Sequence, residues 1–397
     1  MDKYGIIDDT YRAALAAPVI SYRLMIQPLD QWENALGELY ADILTSDPAS
    51  QTIGSGGGIR RSLTVTVADE DGRYSPTKDS HFWYNRKFRL WSGVTAGNDT
   101  YWQPNGVYYT KSADEYMSRL TISAADKYAA LNGELGTGRC VLPFNTDISG
   151  GDIYVADLVR ETLGLNTGAL PLDPIAPIID PCFETTKLYA DIALSAGQYY
   201  GEILTTLAAM YGADCFYDRG GRLNFRKKQV HDRPWWYRHQ GYAHIFDGSS
   251  ITEGVRRNTQ LKAVNTVTVA SDNTEGEAVS VTVCNTDPES PVCVQNIGRQ
   301  YPDEPVVYIS IGDTTRQSAE EKCRQYGIYL LCQHTAQLCS ETFAAAEVPH
   351  LDVDSLVLVN GEDRLVTGIS TDHGTHISQI ATCSVSALPT DMEVTVS

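Results

Sequence analysis

The chain has 397 residues, of which 42% are hydrophobic and 20% charged, and its formal net charge at pH 7 is −19. This length gives room for two or three domains with substantial cores, and the composition is that of a globular rather than a disordered protein. The charge argues against binding nucleic acid by neutralising phosphates, which needs a basic face. It fits a simply soluble surface, and it also fits an acidic channel lining along which DNA slides without binding.

Membrane insertion, secretion and disulfide bonding are not expected. No run of eighteen apolar residues occurs, and the first twenty residues do not have the pattern of a secretory signal. The nine cysteines are an odd number without CxxC pairs, which favours reduced thiols over a disulfide scaffold or a zinc site. Cys284 and Cys293 flank a Pro-containing connection that would bring them together across a loop, but two buried reduced thiols are the simpler interpretation.

Residues 1–135 are predicted to be mostly β structure. In LTVTV (63–67) leucine and valines alternate with threonines, which is the period of a half-buried strand. The following Asp71-Gly72 pair is typical of a hairpin turn, because glycine adopts positive φ at no steric cost. Short strands with Gly, Pro, Asn and Asp clusters between them then predict a barrel or sandwich. The segment ADKYAALNG (125–133) predicts one helical turn.

Residues 136–245 change to a helical period. The segment GDIYVADLVRETLGL (151–165) predicts a helix that Gly164 ends. A second helix is predicted to bury one apolar face, made of Ile203, Leu204, Leu207 and Met210. Two strands around Gly220-Gly221 follow it, so this region is predicted to be α+β.

Residues 246–397 return to β patterning. KAVNTVTVA (262–270) and EAVSVTVCN (277–285) alternate strongly, one helix is predicted over 315–331, and several further strands follow. The predicted fold class is therefore α+β and predominantly β. We predict two β-barrel domains, at 1–135 and 246–397, with the α+β region 136–245 between them.

The chain resembles a known family in several of these segments. The segments are DEDGRYSP (69–76), KFRLWSG (87–93), LTISAADKYAALNG (120–133), VADLVRETLGL (155–165), GEILTTLAAMYGADCFYDRGGRLNF (201–225) and VPHLDVDSLVLVN (348–360). In this order they resemble the tail hub, or baseplate hub, proteins of long-tailed bacteriophages and related contractile injection systems, of the late control protein D type. The family usually has a proline, an apolar residue and a Gly-Asp pair before a C-terminal strand. At the corresponding positions this chain has Pro349, Leu351 and Val353-Asp354, so the glycine is absent.

The resemblance implies a structural protein of the virion or injection particle, assembled in the host cytoplasm. It implies a homotrimer in which two barrels per subunit give six, so that a threefold ring meets a sixfold tail tube. The implied partners are the tail tube or distal ring protein, the spike, tip or fibre protein, and the end of the tape-measure protein. DNA or cargo would pass through the lumen without specific binding.

One set of interface candidates lies around the strand at 63–67. Arg60 and Arg61 precede it and Asp69 and Asp71 follow it, so opposite charges stand at its two ends. If this strand were a sheet edge, such charges would select which neighbouring subunit pairs with it. A solvent-exposed hairpin tip explains the same charges without a partner.

A second set of interface candidates lies in HDRPWWYRHQGYAH (231–244). Aromatic residues and arginine dominate binding energy at protein interfaces, and this segment offers Arg233, Trp235, Trp236, Tyr237 and Arg238. The same residues would also fill a seam between domains or stack on sugar rings. The last alternative gives the rival function, a tail-associated protein that binds or hydrolyses cell-wall glycan, for which paired acids would be needed.

No complete catalytic, cofactor or metal motif is found in the sequence. DHGTH (372–376) places two histidines beside an aspartate in a predicted turn, but it lacks the glutamate and helix of HExxH, and a polar hairpin tip is the favoured interpretation. Neither GxSxG nor a phosphate-binding glycine loop occurs. We therefore expect no enzyme activity, no cofactor and no metal.

Overall fold

A computed structural model gives the fold of the chain. The structure describes residues 2–36, 49–55, 57–70, 72, 74–75, 77, 80–83, 86–135, 142, 144–151, 153–165, 171–188, 191–227, 241–259, 264–272, 278–302, 306–310, 316–336, 339–384 and 391–396.

The N-terminal part is built almost entirely of strands. Its elements are β1 (Asp2–Tyr4), α1 (Asp9–Leu15), β2 (Ser21–Leu29), β3 (Ser50–Gly54), β4 (Arg61–Ala68), β5 (Lys87–Ala96), β6 (Asp99–Tyr116), β7 (Arg119–Asp126) and α2 (Tyr128–Leu131). The predicted strand at 63–67 is confirmed as part of β4, where Leu63, Val65 and Val67 are all buried. The predicted helical turn is confirmed as α2.

The middle part alternates helices with short strands. Its elements are β8 (Thr146–Ile148), α3 (Val155–Gly164), β9 (Ile178–Ile179), a 3₁₀ turn (Pro181–Glu184), β10 (Ile192–Leu194), α4 (Gly201–Tyr211), β11 (Ala213–Tyr217) and β12 (Leu223–Lys227). Both predicted helices are confirmed, and the apolar faces of α3 and α4 pack into one core with β11 and β12. Gly212 ends α4 in the left-handed conformation, with φ 57°, which a glycine adopts without strain.

The C-terminal part contains strands and one long helix. Its elements are β13 (His244–Phe246), β14 (Ile251–Thr259), β15 (Thr266–Asp272), β16 (Val279–Asn285), α5 (Val294–Ile297), β17 (Val307–Ser310), α6 (Arg316–Ala336), β18 (Cys339–Ala346), β19 (Leu356–Val359), β20 (Glu362–Asp372), β21 (Ile377–Ser384) and β22 (Met392–Val396). The predicted helix is confirmed as α6.

One sheet of 13 strands joins the two ends of the chain. Its main path runs β14-β18-β21-β20-β3-β4-β7-β6-β5-β2. The link is the antiparallel pair β3·β20, in which Ile53 lies opposite Ile369. Tyr11 and Tyr101 share a buried cluster with Phe246 and Phe343. The N-terminal and C-terminal strands therefore share hydrogen bonds and apolar core.

Three further sheets in the described residues are separate from this one in hydrogen bonding, and the smallest of them is the antiparallel pair β8·β10. The middle part forms β11-β12-β9, and the C-terminal part forms β17-β15-β16-β22. Against the last of these sheets lies α6, whose Ala319, Cys323 and Leu331 pack on the valines of β15 and β16. The fold is therefore α+β and predominantly β, as predicted. The domain boundaries at residues 135 and 245 stay a prediction.

Candidate functional site

The strand that carries Arg60 and Arg61 at its start is central in the sheet. β4 pairs antiparallel with β3 on one side and with β7 on the other. The hypothesis that this strand is a sheet edge is therefore wrong. The prediction that Asp71-Gly72 joins it to the next strand in a hairpin is also wrong, since that strand, β5, pairs with β2 and β6. Local alternation identifies a strand, but its neighbours are set by contacts far along the chain.

Arg60 and Arg61 are buried inside the chain, with 6% and 1% of their surface exposed. Their backbone N–H groups donate to Oδ2 of Asp126, at 2.8 and 2.9 Å. The Arg60 guanidinium lies 3.3 Å from the centre of the Phe216 ring, and its Nη1 lies 3.1 Å from Oδ2 of Asp354. These charges therefore pair within the chain in this structure rather than standing free at its surface.

Arg61 connects all three parts of the chain. Its Nη1 donates to the carbonyl oxygen of Tyr217 at 2.7 Å, and its Nη2 forms an ion pair with Asp352. Arg219, at the turn between β11 and β12, donates from Nε to the Pro104 carbonyl at 2.8 Å. Its guanidinium also donates to the carbonyls of Pro349 and His350. We call Arg60, Arg61, Arg219, Asp352 and Asp354 the charged junction.

Asp354 in the charged junction has an unusual backbone conformation. Its φ is 63°, in the left-handed region that non-glycine residues enter at a cost, although aspartate tolerates it better than most. Its carboxylate also pairs with Arg226 from β12. Asp354 therefore both turns the backbone and binds two arginines.

A second buried ionic cluster lies nearby. Lys127 pairs with Glu33 at 2.5 Å and with Asp173 at 2.8 Å, and Lys87 also pairs with Glu33 at 2.8 Å. Each of these four side chains is at most 3% exposed. Tyr217 donates to the other oxygen of Asp173 at 2.7 Å. Burial lowers the pKa of Lys87, and the adjacent Glu33 opposes that shift.

Sequence reasoning missed this buried cluster because its members are scattered along the chain. No motif connects Glu33, Lys87, Lys127 and Asp173 before the fold is known. Each residue taken alone looks like an ordinary surface charge. Ion pairs of this kind require good geometry to offset the cost of removing charges from water, so they fix the relative position of the parts they join.

The remaining interface candidates fall into two groups. Asp69 is buried, and its carboxylate accepts from the Tyr74 N–H at 2.9 Å and from the Ser75 hydroxyl at 3.3 Å, so it organises its own loop. The other candidates lie outside the described residues: Asp71, Arg233, Trp235, Trp236, Tyr237 and Arg238. Tyr242, just after that aromatic segment, donates to Oδ1 of Asp363 at 2.7 Å.

The DHGTH segment is a turn between β20 and β21, as expected, but it gains a third group from elsewhere. His373 Nδ1 and His376 Nδ1 lie 3.2 and 2.7 Å from Oε2 of the buried Glu347. Burial raises the pKa of Glu347, but the two histidines more than offset this and hold the pKa below its ordinary value. The sequence argument missed Glu347 because two strands, β19 and β20, separate it from the histidines in the chain.

Cys284 and Cys293 are both free and buried. Cys293 Sγ accepts from the Asn296 N–H at 3.3 Å and caps α5. The two thiols therefore act as small packing and capping groups in this structure, which is the simpler of the two interpretations considered above.

The fold is similar to those of solved phage tail proteins. A tail protein from Neisseria meningitidis matches with a TM-score of 0.57 at 11% identity, over 93% of this chain and 98% of that one. The 43 kDa tail protein of prophage MuSo2 from Shewanella oneidensis matches with 0.53 at 14%, over 92% and 99%. Prophage tail protein gp18 from Listeria monocytogenes matches with 0.51 at 14%, over 91% and 94%.

These similarities define a phage tail protein fold for nearly the whole chain, and they confirm the fold that the sequence resemblance implied. No protein-family model matches the sequence. No curated protein matches it either. Within the described ranges, no helix has the length and apolar character needed to span a membrane.

Proposed function

We propose that this chain is a structural subunit of a phage tail or related injection particle. In this proposal it is a hub that joins the tail tube to the spike, tip or fibre proteins. The observation that carries the proposal is the similarity of fold, over more than nine tenths of the chain, to three tail proteins. A match of this extent leaves little of the chain for a separate function, although fold alone does not define function.

The hub is a homotrimer in this proposal, and the sheet offers edges for its assembly. Along the described path the 13-stranded sheet ends at β2 and β14, and these strands replace β4 as the candidate edges. β14 carries exposed charges at Glu253, Arg256 and Arg257 and has irregular register against β18. Charges and bulges at an edge restrict which strand pairs with it. We expect such selective edges at a symmetric subunit contact.

An apolar hairpin tip is a further candidate contact. Tyr116 and Met117 lie at the end of the long β6, with 66% and 76% of their surface exposed. Large apolar side chains at a protruding tip are typical of groups that insert into a partner. We propose that this tip contacts a neighbouring subunit or tail protein. The aromatic segment at 233–238 stays a second proposed contact.

The buried ionic clusters would make each subunit rigid. The charged junction holds the middle region against both ends of the chain. The buried cluster of Glu33, Lys87, Lys127 and Asp173, called the Glu33 cluster below, holds the middle region against the N-terminal part. The charge of −19 supports an acidic lumen that passes DNA without binding it. Gating of that lumen and contact with a tape-measure protein belong to the same proposal.

The glycan-directed alternative depends on free acids in the middle region. The acids available there are Glu184, Asp191, Glu202 and Asp214, and the first two have structural contacts. Glu184 forms an ion pair with Arg160 of α3, and Asp191 accepts from the backbone N–H of Gly150 at 2.7 Å. These contacts support a structural role for the region and a protein that catalyses no reaction.

Electron microscopy of the purified chain tests the proposal. Negative-stain class averages are expected to show a threefold ring with a central channel, and a peptidoglycan gel assay is expected to show no lysis. Single globular particles together with lysis of the gel would overturn the structural hub in favour of the glycan-directed alternative. Substituting Glu184 or Asp191 by the matching amide would then show which acid the lysis needs.

A further inference from the structure

Three metal-ligating side chains meet at the place where the two ends of the chain join. Glu347 directly follows β18, and His373 and His376 lie in the turn between β20 and β21. One ligand atom from each of the three lies within 4.8 Å of the other two. The turn is adjacent to Asp372, the last residue of β20, which pairs with Ser50 of β3.

We propose that Glu347, His373 and His376 bind a divalent transition-metal ion, with Zn²⁺ as the first candidate. Two imidazoles and one carboxylate are a ligand set that zinc accepts, with a water molecule as fourth ligand. Ligand distances of about 2.0–2.2 Å in a tetrahedron place donor atoms about 3.3 Å apart. The 3.2 Å between His373 Nδ1 and Glu347 Oε2 fits this spacing, whereas His376, at 2.7 Å, needs to withdraw by about half an ångström.

The three ligands are held in place by surrounding contacts. The Glu347 N–H donates to the carbonyl of His376 at 2.8 Å, and the His373 N–H donates to the carbonyl of Ala49 at 2.7 Å. Tyr22 of β2 stacks on the His376 ring at 4.4 Å and donates through its hydroxyl to the Glu347 carbonyl at 2.7 Å. Such outer contacts orient ligands before the ion arrives.

Two features of the histidines are costly for a purely packed turn. The His373 side chain is fully buried, and within the part of the chain that the structure describes its Nε2 has no hydrogen-bond partner. His376 has φ 55°, which a non-glycine residue adopts at a cost. The strained backbone of His376 is expected where a site is built for a ligand, whereas Nε2 of His373 lies on the side of the ring opposite the Nδ1 that would bind the ion.

Access to the proposed site is from one side. The His376 side chain is 22% exposed, whereas those of His373 and Glu347 are at most 4% exposed. An ion and its water molecule would enter beside His376. Bound to all three ligands, the ion would hold the β20–β21 turn to the end of β18 beside the β3·β20 link.

Zinc titration of the intact chain tests the proposal. The purified protein is treated with a chelator, dialysed, and titrated with Zn²⁺ in a calorimeter. One Zn²⁺ per chain with a micromolar or tighter Kd is expected, together with a higher melting temperature. Co²⁺ is then used as a spectroscopic probe, and the visible absorption of a tetrahedral site is expected to saturate at one ion per chain.

Variants assign the ion to these residues. His376→Gln changes the most exposed ligand and is expected to weaken Zn²⁺ binding at least tenfold, as is Glu347→Gln. His81→Gln is the matched control, because it removes one imidazole outside the cluster and is expected to leave binding unchanged. His373→Gln is expected to weaken Zn²⁺ binding as well. If this variant does not fold, His376→Gln and Glu347→Gln test whether the ion binds to the cluster. No Zn²⁺ binding by the parent chain would overturn the proposal, and so would Zn²⁺ binding by His376→Gln and Glu347→Gln that is as tight as that of the parent chain.

This proposal is independent of the proposed hub function. Zinc binding is measured on the chain itself and does not need a trimer or a tail. A trimeric chain without zinc binding would leave the hub function standing and remove only the metal site.

Discussion

Arg60 Nη1 lies 3.1 Å from Oδ2 of Asp354, although 294 positions separate the two residues. This ion pair connects the start of β4 to the segment that leads into β19. The arginine side chain is 3% exposed and the aspartate 28%. The pair therefore lies partly out of water, where losing one partner costs more than at the surface.

Replacing Asp354 is expected to destabilise the protein through this pair. Asp354→Asn keeps a residue that tolerates the left-handed backbone but removes the charge that faces Arg60 and Arg226. We expect the free energy of unfolding to fall by about 1–3 kcal/mol. Asp354→Ala is expected to cost about 1 kcal/mol more, because alanine tolerates φ 63° less well. Urea unfolding monitored by circular dichroism measures both values.

An exposed ion pair serves as the control for Asp354. Asp157 pairs with Arg160 on the surface of α3, with 54% of its side chain exposed. Asp157→Asn is expected to change the free energy of unfolding by less than about 0.5 kcal/mol. Equal urea midpoints for Asp354→Asn and the parent chain would contradict a stabilising role for the Arg60 pair.

A substitution in the Glu33 cluster is expected to lower the free energy of unfolding more than Asp354→Asn does. Glu33→Gln leaves Lys87 and Lys127 buried with only Asp173 as a carboxylate partner in the cluster. We expect a loss of about 3–5 kcal/mol, since an uncompensated buried charge costs that much. Glu134→Gln breaks the half-exposed Lys111–Glu134 pair and is expected to cost at most about 1 kcal/mol. Similar losses in the two variants would show that the buried cluster is not specially stabilising.

A variant of the β6–β7 turn is expected to change the stability of the chain and its assembly in opposite directions. Met117 and Ser118 both have positive φ, at 48° and 60°, in a two-residue turn closed by the Tyr116·Arg119 pair. Asn-Gly is the preferred sequence for such a turn. Replacing Met117-Ser118 by Asn-Gly is therefore expected to stabilise the isolated subunit by about 0.5–1 kcal/mol while weakening subunit association. Unfolding in urea measures the first effect and light scattering the second. A variant that is less stable and fully assembled would contradict both expectations.

Stability is expected to depend on pH through two buried histidines. Burial lowers the pKa of His350 and of His244 to about 4. His350 Nδ1 lies 3.0 Å from the Tyr11 hydroxyl, and Nε2 lies 2.8 Å from the Ala243 carbonyl, which suits a neutral ring. The nearby Arg219 opposes its protonation further.

The sign of this dependence follows from the lowered pKa. In the unfolded chain histidine binds a proton below pH about 6.5, so the unfolded state holds more protons between pH 6.5 and 4. The stabilising contribution is fully present above pH 6.5. It is lost as the pH falls towards 4, at up to about 1.4 kcal/mol per pH unit for each histidine. His350→Gln is expected to reduce the slope of stability against pH in this window, and an unchanged slope would contradict the assignment.

Local periodicity predicted most of the elements correctly. The helices α3 and α4 and the strand β4 follow from the spacing of apolar residues, which neighbours in sequence decide. The partners of β4 did not follow, because the choice of β3 and β7 depends on contacts with distant segments. The sequence also did not show that Arg60 and Arg61 are buried and paired within the chain, because their partners Asp354 and Asp352 lie far along the sequence.

The candidate metal cluster could not be predicted from the sequence for the same reason, although its members lie closer together along the chain. His373 and His376 were singled out in the sequence, but Glu347 is brought to them by the antiparallel pairing of β18 with β21. A strand pairing must be known before such a ligand is recognised. The resemblance to tail hubs was informative because it used the order of many elements together.

The molar mass of the purified chain in solution tests the central claim most directly. Light scattering coupled to size exclusion is expected to give three times the 43.6 kDa mass of one chain, constant across a tenfold range of loading concentration. A single-chain mass throughout that range would contradict the account of a subunit built to meet copies of itself around an axis.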